Sequence, residues 1–198
     1  MPREIERKFL DPDLGAVRRS LQALGAEGQG PHVERNVVFD TPERALKARG
    51  VLLRLREAGA ALLTLKRPPD TPGPAGFKVW EEVETVVADP AAMRAVLLGL
   101  GYVEAFCYEK VRETWLVGGV HVCLDRLPFG DVVELEGEAA DIEALVPRVC
   151  LASARTSVQT YHDLNREFRA RHGLAPAESF VFAQGEAERA LAAWPARP

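Results

Sequence analysis

The sequence predicts a mainly antiparallel β protein of the α+β class, with helices packed against one side of its sheet. Three observations predict it. Strand-like segments with alternating polar and apolar residues, such as REIERKFL and VHVCLDRL, outnumber helical ones. Several of them follow one another through hairpin-like turns, which favours antiparallel pairing. Read by parity, the extended segments collect paired charges on one face and leave the opposite face mostly apolar.

Residues 3 to 10 alternate, and Asp11-Pro12 then offers a helix N-cap with Pro at the first helical position. Leu14, Val17, Leu21 and Leu24 make an apolar helical stripe that ends at Gly25. After a Gly-rich turn, His32 to Phe39 is extended, and Asp40-Thr41-Pro42 opens a turn or short helix that Gly50 ends. VLLRLRE (51 to 57) and ALLTLKR (61 to 67) form a hairpin around Ala58-Gly59-Ala60, and PPDTPGPAG (68 to 76) is a loop. FKVWEEVETVVA (77 to 88) is the next strand, followed by Asp89-Pro90, a helix through Leu100, and Gly101. This repeats the opening pattern of Glu-x-Glu, Asp-Pro, apolar helix and Leu-Gly at the same spacing, which reads as an internal duplication. Strands 106 to 117, 120 to 127 and 131 to 137 follow, then helical segments from Asp141 to Cys150 and from about Thr160 to His172. Residues 1 to 172 are expected to form one barrel domain, and 173 to 198 a peripheral helix or tail with a frayed end.

The 198 residues can bury a core of their own, and a net charge of −4 argues against a protein that coats nucleic acid. Cys107, Cys123 and Cys150 are odd in number and lack a CxxC, so reduced thiols in the cytoplasm are expected. No basic-then-apolar leader or bilayer-length apolar run is present, so neither secretion nor a membrane partner is expected; a homodimer is compatible with the sequence. His32, His121, His162 and His172 have no metal-ligand spacing.

The charged face collects Glu4, Glu6 and Lys8; Arg54 and Arg56; Lys66; Lys78, Glu82 and Glu84; Lys110 and Arg112; Asp125; Glu134 and Glu136. Its apolar counterpart carries Ile5, Phe9, Leu53, Leu55, Val79, Val83, Val111, Trp115, Leu124, Val133 and Leu135. A wet outer face and a hydrated interior demand the same alternation, so parity alone does not say which face is inside. Carboxylates in same-face pairs make poor ion-pair design and good divalent-metal design. Lysine is scarce here, at 5 residues against 20 Arg, yet four of the five lie in strands. A closed barrel also removes exposed sheet edges. With the charges inward, a polyphosphate and Mg²⁺ or Mn²⁺ would complete clusters that are otherwise costly.

These residues, in this order up to about Leu164, resemble the CYTH superfamily, also called triphosphate tunnel metalloenzymes. FDTPERALKARGVLLRLRE, TLKRP, VCLDRLPFGDVVELEG and Tyr161-His162-Asp163-Leu164 look most like its class IV adenylate cyclase branch; thiamine triphosphatases and inorganic tripolyphosphatases share the frame. The resemblance implies a closed eight-stranded antiparallel tunnel barrel with helices outside, a triphosphate substrate (ATP, tripolyphosphate or thiamine triphosphate), and Mg²⁺ or Mn²⁺. Carried over by motif, Glu4, Glu6, Glu134 and Glu136 would bind metal, supported by Asp125, Glu82 and Glu84. Lys8, Arg54, Arg56, Lys66, Lys110 and Arg112 would bind phosphates, with Lys78 standing in for the arginine that relatives carry where this chain has Trp80. The implied activity is conversion of ATP to cyclic AMP and pyrophosphate; hydrolysis of a triphosphate and non-catalytic polyphosphate binding are the alternatives.

Overall fold

The computed structural model describes residues 1–195. The chain runs β1 (Arg3–Leu10), α1 (Leu14–Ala23), β2 (Glu27–Asp40), α2 (Ala45–Ala48), β3 (Leu52–Ala58), β4 (Ala60–Arg67), β5 (Lys78–Val87), α3 (Pro90–Gly99) and β6 (Val103–Val117). It continues with β7 (Val120–Leu127), β8 (Gly130–Glu136), α4 (Ala139–Leu145), a 3₁₀ turn (Val146–Val149), β9 (Arg155–Ser157), α5 (Tyr161–Arg171) and α6 (Glu186–Ala192). Hydrogen-bonded neighbours follow the order β5-β4-β3-β2-β6-β7-β8-β1, and β1 pairs back onto β5, so eight antiparallel strands close into a barrel. The short β9 lies outside this ring, beside the second half of β1. Exchanging β1–β4 with β5–β8 maps the strand order onto itself, as two related halves require.

Several boundaries differ from the sequence expectation. Asp11 takes a left-handed φ of 52° and the helix starts two residues later than expected, so Asp13, not Asp11, caps α1 by accepting from Ala16 N at 2.9 Å. In the second copy Asp89 does cap α3, with Pro90 at its start. β2 begins at Glu27 because the Gly-rich stretch is itself a strand, with a register shift between Gly28 and Pro31. Gly28 is required there: a Cβ would lie 2.9 Å from the Trp115 ring. The predicted helix 141 to 150 starts earlier and tightens into the 3₁₀ turn where Pro147 removes an N–H. In the tail, α6 packs Ala190 beside Phe182 and Val111, and Trp194 Nε1 donates to the buried Glu113. The expected frayed end at 196–198 lies outside the described residues.

The apolar face points outward and is covered in patches. Phe9, Trp115, Leu124, Val133 and Leu135 pack against Leu14, Val17 and Leu21 of α1 and against Ile142 and Leu145 of α4. Leu53 and Leu55 pack against Leu97 of α3. Cover stops at β5, where Val83 stays 47% exposed. At one end of the barrel Leu10, Val38, Tyr108 and Val132 meet Leu164 of α5 and Phe180, so α5 lies across that end. Among the described residues no helix is long and apolar enough to cross a membrane.

Candidate functional site

Barrel closure turns the charged faces of all eight strands toward one another. Register then sets neighbours: Glu6 lies opposite Glu136 and Lys8 opposite Glu134 across β1 and β8, Glu6 opposite Lys78 across β1 and β5, and Lys66 opposite Glu82 across β4 and β5. The interior cavity measures about 990 Å³ and is lined by Glu4, Glu6, Lys8, Arg54, Arg56, Lys66, Lys78, Glu82, Glu84, Lys110, Arg112, Glu134 and Glu136. Asp125 stands behind this lining, fully buried.

The acidic residues divide into two groups. Carboxylate oxygens of Glu4, Glu6 and Glu136 come within 4.8 Å of one another. Burial, together with the charge of Glu134, pushes the Glu136 carboxyl up to about 7; burial and a hydrogen bond with Glu82 raise Glu4 as well. A cluster of hard oxygen donors, in which Glu136 and Glu4 are raised above the ordinary carboxyl value, fits a divalent cation such as Mg²⁺ or Mn²⁺, which would relieve the repulsion. Glu4 and Glu6 of this cluster also hold Lys66 and Lys8 at 2.5 Å each, while the second group is engaged with protein cations throughout. Glu134 pairs with Lys8 at 2.9 Å and with Arg112. Asp125 accepts from Arg112 Nε and Nη2 at 2.6 and 2.5 Å and from Lys110 at 3.2 Å. Glu82 holds Lys66 at 2.8 Å, and Glu84 holds Arg56 at 3.2 Å while accepting from Thr64 Oγ1 at 2.7 Å.

Because its folded value lies above the ordinary carboxyl value of 4.5, Glu136 contributes stability that is present below about pH 4.5 and lost as pH rises through about 7. His162, whose pKa is lowered by burial and by Lys47, changes stability in the opposite direction. The readout is therefore the difference between proteins: metal-free wild type should lose melting temperature relative to Glu136→Gln between pH 5 and 7.5. Parallel pH profiles would show that Glu136 carries no such strain.

The basic wall is well anchored. Arg54 donates to Tyr108 Oη at 3.0 Å and to Thr64 Oγ1 at 3.2 Å. Burial alone would lower Lys8, but Glu134 and Glu6 outweigh it and hold the ammonium charged; Glu4 and Glu82 do the same for Lys66. Lys78 behaves differently, since burial and the charge of Lys8 lower it to about 8. Its ammonium sits 4.7 Å from the Trp80 ring centroid and 4.0 Å from Glu6, so the lysine reaches the acidic cluster over the tryptophan.

Three residues of the site were given no site role from the sequence. Glu34, only 2% exposed, faces Lys110 at 3.4 Å and Arg56 at 3.6 Å. Its signal was present, because it shares strand parity with His32, but it is a single carboxylate and the pattern pursued was the pair. Tyr108 lines the cavity and supports Arg54. Tyr161 enters from α5: its hydroxyl donates to Asp125 at 2.5 Å and its ring lies 5.4 and 5.3 Å from the ammonium groups of Lys8 and Lys110. The Tyr161-His162-Asp163-Leu164 motif marks this segment in the sequence, but nothing local there shows that its tyrosine reaches Asp125.

Comparison with known proteins agrees with this architecture. The CYTH domain family model matches residues 2–146. The chain is 31% identical to the adenylate cyclase CyaB of Aeromonas hydrophila over 184 residues, covering 81% of this chain and 87% of that protein. Among solved structures, the PH1012 protein of Pyrococcus horikoshii superposes with a TM-score of 0.66 at 24% identity, covering 80% of this chain and 96% of that one. HpAC1 of Hippeastrum, described as revealing a dominant triphosphatase activity, superposes with a TM-score of 0.57 at 21% identity over 88% of this chain and 98% of its own. Both structural likenesses concern the fold.

Proposed function

The chain belongs to the CYTH domain family, and from that premise we propose that it is a metal-dependent enzyme that binds a triphosphate inside the barrel and converts ATP to cyclic AMP and pyrophosphate. One observation carries the reading: a compact carboxylate cluster and at least six basic side chains line one cavity. Glu4, Glu6 and Glu136 would hold Mg²⁺ or Mn²⁺, which when bound neutralises phosphate oxygens and stabilises charge that develops during transfer. Lys8, Arg54, Arg56, Lys66, Lys110 and Arg112 offer cationic donors to the remaining phosphate oxygens. Their counterions Glu134, Asp125, Glu84 and Glu34 fix those side chains in place, so little reorganisation is needed when the ligand arrives. In the cyclase reaction the ribose 3′-oxygen attacks the α-phosphate and pyrophosphate leaves.

The name of the Aeromonas relative supports the cyclase over a hydrolase; the cavity's charges address phosphates and serve either chemistry. Product chromatography tests the choice. With ATP and Mn²⁺ we expect cyclic AMP and pyrophosphate. Orthophosphate as the main product, with tripolyphosphate or thiamine triphosphate consumed faster than ATP, would establish the hydrolase. Binding of all three without turnover would establish a non-catalytic module.

A further inference from the structure

The rim of the cavity carries a second basic cluster that the proposed reaction does not use. Arg44, just before α2, Lys47 within it and His162 of α5 all line the cavity at this rim. Their shared partner is Glu178, in the segment between α5 and α6. Arg44 pairs with its carboxylate, Lys47 Nζ reaches it at 2.5 Å, and His162 Nε2 lies 3.7 Å away.

Other nearby acids are committed elsewhere. Asp40 accepts from the backbone N–H groups of Thr41, Leu46 and Lys47 at 2.7, 2.8 and 3.0 Å. Asp163 accepts from Thr160 N and Oγ1 at 3.2 and 2.6 Å and from Arg166 at 3.1 Å. One carboxylate therefore serves both cations, while Arg44 Nη1 and His162 Nδ1 are buried without a hydrogen-bond partner. Such a cluster is short of both negative charge and acceptors.

Glu178 is also exchangeable. Its side chain is 35% exposed, and it rides on a strap anchored by buried Phe180 and by hydrogen bonds that include Asn165 Nδ2 to Ala177 O at 3.0 Å, Cys107 N to Ser179 Oγ at 3.1 Å, Phe180 N to Cys107 O at 3.1 Å and Glu109 N to Phe180 O at 3.0 Å.

We propose that Arg44, Lys47 and His162 form an anion subsite at the rim, which takes a phosphate group of a ligand entering or leaving the cavity in place of Glu178. A phosphate brings up to two charges and three acceptor oxygens where the carboxylate brings one charge and two oxygens, so it matches the two cations and supplies the missing acceptors. The displaced Glu178 moves to solvent and loosens the strap that ties α2, α5 and β6 together at the rim.

Calorimetry with inorganic pyrophosphate, without divalent metal, on wild type, Glu178→Gln and the Arg44→Ala/Lys47→Ala double variant tests this. Glu178→Gln should bind roughly fivefold tighter, the scale of losing one partly exposed ion-pair competitor. The double variant should bind correspondingly weaker. In wild type, pyrophosphate should speed hydrogen exchange at the amides of Glu109 and Phe180. Equal affinity in all three folded proteins, or unchanged exchange at those amides, overturns the proposal, as does binding lost in Arg54→Ala but retained in the double variant. Failure of the interior reading looks different: wild type would not bind tripolyphosphate with Mg²⁺, whatever the rim does.

Discussion

Glu136→Ala and Glu6→Ala should each lose more than about 100-fold in turnover, the upper end of the loss seen for even an outer-shell partner of a metal site. Both should remain folded. Glu136 is raised to about 7 by burial and by Glu134, so removing it relieves repulsion inside the barrel. Removing Glu6 leaves Lys8 paired with Glu134 at 2.9 Å, so no buried ammonium is orphaned. Melting temperatures should therefore stay within about 4 °C of wild type, equivalent to about 1 kcal/mol for a chain of this size. Steady-state kinetics across a Mn²⁺ titration, beside thermal unfolding, checks both halves. Turnover within threefold of wild type in either variant would remove the Glu4, Glu6 and Glu136 cluster from the chemistry.

Asp125→Ala should have the reverse signature, a large loss of stability. Asp125 is fully buried and accepts from Arg112 twice, from Lys110 and from the Tyr161 hydroxyl. Truncating it leaves two buried cations short of a partner and a phenol without an acceptor. Breaking a buried ion pair from one side costs about 3–5 kcal/mol. Asp125→Asn, which keeps acceptor and volume but loses the charge, should fall between. Urea unfolding of the three proteins measures this; an Asp125→Ala midpoint equal to wild type would show that the network contributes nothing to the fold. The contrast between the two predictions follows from partners: Glu136 crowds other carboxylates and the lysine that Glu6 holds keeps a second partner in Glu134, whereas Asp125 is surrounded by donors.

Much of the site was legible because strand parity is strictly local. Glu4, Glu6 and Lys8 share a face whatever the rest of the chain does, and so do Arg54 and Arg56, Lys110 and Arg112, and Glu134 and Glu136. The Asp89-Pro90 helix start was readable for the same reason, since a cap depends on four consecutive residues. Its counterpart at Asp11-Pro12 misled by two residues because the left-handed turn at Asp11 displaced the cap to Asp13. The strand across Gly28 was hidden, as glycines that read as a turn instead make room for Trp115.

By itself, then, the sequence determined the alternation of a charged and an apolar face, the near-duplicate halves, and the residues that the charged face would collect. Only the tertiary structure decided that this face is the inside, through the pairing of β1 with β5. It also decided which carboxylates crowd together and which are neutralised. Glu6 lies against Glu136 and Glu134 against Lys8 because of register between strands more than 120 residues apart in sequence, as the numbering itself shows. Tyr161 reaches Asp125, and Glu178 reaches Arg44 and Lys47, only because α5 and the strap after it fold back over one end of the barrel. A period of two is set by each strand's own backbone, but the sign of a charge's neighbour is set by chain closure, which no local pattern encodes.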